Sequence, residues 1–126
     1  MTDSRLTIQF TTDQEWMNFA GNIANAQLCV LEYMQANGSD KASEQAYNTL
    51  RRMLHIEKPA ADSVGPAVKV DFLDADDIKD YIQDIVQAQH IIYETEQETG
   101  TTASLLYTKA ILSWLIGQVA ENQLNQ

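Results

Sequence analysis

One cysteine, two prolines and eight basic residues are all that this chain of 126 residues contains of each kind, and each scarcity excludes something. A lone cysteine, Cys29, cannot form an intrachain disulfide, which fits a reducing compartment. It lies between Leu28 and Val30 with no basic neighbour to lower its pKa, so it is expected as a buried small side chain and not as a nucleophile. Eight lysines and arginines face 18 acids, giving a net charge of −10 and a pI near 4.3. Such a chain repels nucleic acid and anionic membrane surfaces and attracts basic proteins. No segment reaches the roughly 18 uninterrupted apolar residues of a membrane span. The start, "MTDSRLTIQF", lacks the apolar run of a signal peptide, and a soluble, cytoplasmic protein is expected. Also missing are a glycine-rich phosphate loop, a GxSxG motif, zinc-ligand spacing and a dinucleotide fingerprint. The expectation is a non-enzyme with no cofactor, no metal and no catalytic residue.

Hydrophobic residues make up 44% of the chain, enough for a core. "LTIQF" (6–10) alternates apolar and polar residues and predicts a half-buried strand. Thr12 or Asp13 can cap the helix that follows, which runs to about Ala36 with Trp16, Phe19, Ala20, Ile23, Val30, Leu31 and Met34 inward. "NGSD" ends it, with Gly38 suited to a left-handed C-terminal cap. A second helix is expected over about 41–56, with Ala46, Tyr47, Leu50, Met53 and Leu54 inward. "EKPAADSVGP" (57–66) holds both prolines and reads as a linker.

After the linker the plan begins again. "VKVDF" (68–72) alternates like "LTIQF". Asp74 or Asp76 can cap a third helix whose stripe is Ile78, Tyr81, Ile82, Ile85, Val86 and Ile92, and Gly100 takes the place of Gly38. A final helix is expected over about 102–122. A constant shift of 62 places Phe10 on Phe72, Phe19 on Tyr81, Ile23 on Ile85, Gly38 on Gly100 and Leu50 on Leu112. The expected fold is mainly α, in the α+β class: one domain spanning 1–126, built from a duplicated strand–helix–helix unit (about 5–56 and 67–122). Neither unit can cover its own strand edges and apolar flank, so four helices should pair with a two-stranded sheet about a pseudo-twofold axis.

The last helix departs from its counterpart. From Leu105 to Ala120 its only charge is Lys109. Leu105, Leu112, Leu115 and Val119 form one apolar face; Tyr107, Ile111 and Trp114 form another. A helix apolar around most of its girth is either central to the fold or covered by another chain, so Tyr107, Ile111 and Trp114 mark a core or a homodimer contact.

The segment "VDFLDADDIKDYIQDI" (70–85) carries six aspartates and one lysine. It fails as a calcium loop, having no glycine at the sixth position and Ile78 where an oxygen ligand is needed. Asp74, Asp76 and Asp77 fall in the first turn of a helix, where the dipole favours negative charge. Asp77, Asp80 and Asp84 continue as a solvent-facing stripe. Together these five are the candidate contacts for a basic protein partner. Arg51 and Arg52, the only basic doublet, are the candidate contacts for an anion. His90 and Glu94 sit one turn apart with no second such element to complete a metal site, and His55 lies near a helix end.

A strand followed by two helices, used twice, resembles in topology the ribbon–helix–helix DNA-binding plan. The strand residues that would face DNA are Thr7, Gln9, Lys69 and Asp71; the aspartate and the net charge of −10 oppose that use. The favoured expectation is a small acidic interaction protein that binds, and inhibits or neutralises, a basic protein. Immunity proteins, antitoxins and anti-defence proteins share that format. Residues 1–63 carry 8 acids and 5 bases (net −3), and residues 64–126 carry 10 acids and 3 bases (net −7). The alternative is a small-molecule or nucleotide-binding sponge with a pocket between the repeats.

Overall fold

The computed structural model describes residues 4–53, 56–57 and 66–124. The chain is mainly helical, with a small antiparallel sheet. Strand β1 (Ser4–Gln9) leads into α1 (Asp13–Asn37) and α2 (Lys41–Arg52). A two-residue strand, β2 (Ile56–Glu57), precedes β3 (Ala67–Phe72), α3 (Ala75–Thr99) and α4 (Ala103–Leu124).

Local chemistry sets these boundaries. Thr12 caps α1 by accepting a hydrogen bond from the Glu15 amide, and Glu15 reaches back to accept from the Thr11 amide at 2.8 Å. Asp74 caps α3 in the same way. Its carboxylate accepts from the Asp77 amide (2.8 Å), and Asp77 accepts from the Leu73 amide (3.0 Å). Each reciprocal pair satisfies one amide that the helix start leaves without an intrahelical partner and the amide of the residue just before the cap. Asp40 and Thr102 cap α2 and α4 by accepting from the amides of Ser43 and Leu105. Gly38 and Gly100 close the long helices at φ +87 and +89, and their amides donate to the carbonyls of Met34 and Glu96. Every one of these features recurs at an offset of 62 positions.

β3 is the central strand of the sheet, with β1 on one side and β2 on the other. In the β1–β3 register Leu6 faces Val70, Thr7 faces Lys69 and Ile8 faces Val68. Period-two alternation turns Leu6, Ile8, Val68, Val70 and Phe72 into the core, while Arg5, Thr7, Gln9 and Asp71 face outward. Across the outer face the Arg5 guanidinium bonds both oxygens of Asp71 and holds that carboxyl below the usual range.

Three expectations need correction. The second helix stops at Arg52 and not near 56, because Ile56 and Glu57 pair with Val68 and Ala67. That pairing adds a two-residue edge strand to the expected pair of β1 and β3. The Pro66 carbonyl accepts from the Phe10 amide at 3.0 Å. Leu54, His55 and linker positions 58–65 lie outside the described residues. Leu31 and Val86, expected inward, are exposed; Ala26, Cys29, Ala88 and Ile91 are buried in the same helices.

One cluster of buried side chains draws on β1, β3 and all four helices. It contains two aromatic stacks. Phe10 lies 5.3 Å from Phe19, whose other side meets the edge of Trp114 at 6.1 Å. Phe72 lies 5.1 Å from Tyr81, above which the Arg52 guanidinium sits at 5.5 Å. Tyr81 is fully buried, its hydroxyl donates to the Met53 sulfur, and burial pushes its phenol well up.

Candidate functional site

Two grooves and one corner carry the side chains of interest. The first groove, about 310 Å³, lies between α2 and α3 and is polar. Gln45, Asn48, Thr49 and Arg52 line it from α2; Asp80, Gln83 and Asp84 line it from α3. The Thr49 hydroxyl donates to Asp84 at 2.6 Å. Burial raises the Asp84 pKa, the Thr49 hydrogen bond opposes the rise, Asp80 adds to it, and Arg52 opposes it. Asp84 is therefore half-buried against α2 and does not continue a solvent-facing stripe.

The second groove, about 560 Å³, lies between α1 and α4. Met17, Asn18, Gly21 and Asn22 form one wall, and Tyr107, Ala110 and Ile111 form the other. A neighbouring groove of about 530 Å³ continues from Ile111 to Trp114, Phe19 and the end of β1. Hydrogen bonds tie the two walls together in antiparallel register. Asn25 donates to Ser104 and Thr108, and Thr108 donates to Asn22. Of the three α4 residues singled out from the sequence, Tyr107 is 67% exposed, Trp114 is 41% exposed and Ile111 is half-buried. Leu105, Leu112, Leu115 and Val119 make the buried face of the same helix. Lys109, its one charge before Glu121, bonds the buried Glu96 at 2.7 Å and holds that carboxyl below its usual range.

The corner is the β3–α3 junction. Leu73 is 80% exposed there, amid Asp71, Asp74, Asp76 and Asp77. Asp74 and Asp77 serve the helix cap as described; Asp76 and Asp80 are exposed on the first turns of α3. The sequence reading found the aspartates and overlooked Leu73. Its signal was available: an apolar residue between the last strand position and the helix cap, where neither periodicity buries it.

The basic doublet is split. Arg52 turns over Tyr81 and lines the polar groove, as well as a small hollow of about 220 Å³ with Lys69, Val70 and Asp71. Arg51 is exposed and lines neither. His90 and Glu94 pair at 2.8 Å on the surface of α3. Cys29 is buried, and burial together with the charge of Glu32 raises its pKa. Among the described residues no group of three His, Cys, Asp or Glu is placed to hold a metal ion, and no helix is long and apolar enough to cross a membrane. Comparison of the chain with protein-family models, curated proteins and solved structures finds no match.

Proposed function

We propose that the protein is a non-enzymatic interaction protein whose acidic β3–α3 corner docks on a basic protein and blocks it. One observation carries this reading: Leu73, 80% exposed, stands inside the densest acidic segment of the chain. The carboxylates of Asp74, Asp76 and Asp80 draw a basic surface in over a range set by the Debye length, about 8–10 Å at physiological salt. Burying Leu73 against the partner then adds about 1.5–3 kcal/mol, which slows release. Immunity proteins and antitoxins are the nearest class by format, an analogy that rests on size, charge and helical content.

The scaffold is read as a duplicated strand–helix–helix unit about a pseudo-twofold axis. Caps, closing glycines and both aromatic stacks recur at the offset of 62. The β1–β3 register supports the axis, because Thr7 faces Lys69, its own counterpart, and pairs on either side exchange symmetrically. The strand β2 breaks the pattern, since its counterpart positions 118 and 119 lie within α4.

The test is capture from the native cell with tagged wild-type protein and with a variant carrying Leu73→Ser, Asp76→Lys and Asp80→Lys. These positions avoid the cap made by Asp74 and Asp77 and the half-buried Asp84. The expected result is a basic protein retained by the wild type, released by salt, and lost from the variant. Equal retention by both proteins, or retention of nucleic acid alone, would overturn the assignment.

A further inference from the structure

The groove between α1 and α4 is not used by the acidic corner, and its chemistry differs from the rest of the surface. Its walls contain no Asp, Glu, Lys or Arg, in a chain whose net charge is −10. Glu15, at the edge of the neighbouring groove, is held by the Thr11 amide and hydroxyl. Along the outer side of α1, Met17, Gly21, Ala24, Leu28, Leu31 and Gln35 alternate at spacings of four and three residues, and all six are exposed. That is the spacing of a coiled-coil seam, about 27 Å long at 1.5 Å per residue, with no charge on it. Tyr107 and Trp114 stand on α4 beside it.

Gly21 adds an independent observation. Glycine weakens a helix interior relative to alanine. A Cβ placed on Gly21 would meet nothing within 4 Å, and the same holds for Gly117 on α4. Among the described residues nothing packs against either position closely enough to require a glycine. A bare backbone on an exposed apolar face does suit the close approach of another chain.

We infer that this face is the contact surface of a homodimer, in which Tyr107 of each copy packs into the groove beside Gly21 of the other. Charge selects the occupant. In an isologous contact a patch meets itself, so acids near the axis would face acids. Two chains of −10 associate most readily where acids are few: the walls of the α1–α4 groove have none, and Glu32, exposed beside Leu28 and Leu31, is the acid that flanks it. A basic partner has no reason to prefer it over the acidic corner. The area is also sufficient. Met17, Leu28, Leu31, Tyr107 and Trp114 are each roughly half exposed, which offers on the order of 1,000 Å² over two copies, the lower bound for a specific interface.

The experiment is sedimentation equilibrium of the full chain from low to high micromolar concentration, with circular dichroism melting at the dilute end. Wild-type protein should dimerise as concentration rises, and more strongly in added salt, which screens the repulsion between copies. Tyr107→Asp and Gly21→Asp should each weaken the dimer at least tenfold while the dilute protein stays folded. Gln45→Asp and Gln83→Asp, at the corresponding positions of the polar groove, should leave it unchanged. A wild type that stays monomeric throughout overturns the inference; if it also melts higher with small apolar compounds, the groove belongs to a ligand. A dimer that survives both Tyr107→Asp and Gly21→Asp, or that yields to the Gln45 and Gln83 variants, overturns it equally.

Discussion

The polar and apolar grooves have walls built from corresponding positions, and nearly every correspondence has changed character. Gln45, Asn48, Thr49 and Arg52 of α2 stand 62 positions before Tyr107, Ala110, Ile111 and Trp114 of α4. Asp80, Gln83 and Asp84 of α3 stand 62 positions after Asn18, Gly21 and Asn22 of α1. On one side the groove is closed by its own chemistry: Thr49 bonds Asp84, and Arg52 lies against Tyr81 and near the two aspartates. On the other side Tyr107 and Trp114 extend apolar surface outward with nothing from the described chain over it. The two grooves thus differ in what their side chains do with the space between helices: one is bridged by a hydrogen bond, and the other presents apolar surface.

The most severe test of that comparison removes the aromatic at the heart of each stack. Phe19→Ala and Tyr81→Ala should each cost about 3–5 kcal/mol in urea unfolding, since both rings are buried in well-packed surroundings. Values differing by more than about 2 kcal/mol would show that the halves do not bear equal parts of the core. Next come the closing glycines. Gly38 and Gly100 have ψ of 149 and 159 with positive φ, a region that side chains beyond glycine avoid. Replacing either by alanine should therefore cost about 1–3 kcal/mol, in equal measure at the two positions.

Smaller effects separate the grooves. Trp114→Ala should lose about 1–2 kcal/mol in dilute protein, the contribution of a half-covered ring and its contact with Phe19. Arg52→Ala removes the cation above Tyr81 and should lose less, about 0.5–1 kcal/mol, because that contact is partly solvated. The smallest effect has a sign that pH reveals. Burial raises the Asp84 pKa, so the folded state holds the proton more tightly than the unfolded chain does, and stability falls as pH rises through the folded value. Asn22 occupies the corresponding position on α1 and accepts from Thr108. Asp84→Asn should accordingly raise the melting temperature slightly at pH 7. The gain stays below about 1 kcal/mol because the site is half exposed, and it should vanish below about pH 4.

The helix ends were legible in the sequence because capping is a local transaction: Thr12 and Asp74 bond amides three residues away, and Gly38 and Gly100 follow the last apolar turn. The buried stripes were less so. How wide a stripe must be depends on how many neighbours a helix has, which no local window contains. Leu31 and Val86 continue the apolar spacing yet face solvent, while Cys29 and Ala88 are buried. The strand β2 was invisible for a related reason. Two residues carry no periodicity, and Ile56 looks like the end of a helix until β3 is beside it. The apolar excess on α4 was readable from composition, and spacing divided it into two apolar faces without telling which of them the fold buries. What spacing could not give was Leu73, whose exposure arises from a corner and not from a period.

The sheet also sets an order on how the chain becomes a protein. Every β1–β3 pair joins residues 58 to 68 positions apart, from Gln9 with Ala67 to Ser4 with Phe72. The α1–α2 hairpin needs only its own neighbourhood, whereas β1 has no strand partner until β3 exists. During synthesis β1 must therefore wait, apolar on one face and unpaired along its edge, until the residues 58 to 68 positions after it have been made. A chain cut short before Ala67 retains two good helices and an adhesive strand. The arrival of β3 is thus the event that converts a nascent chain from one that can pair with strangers into one that has paired with itself.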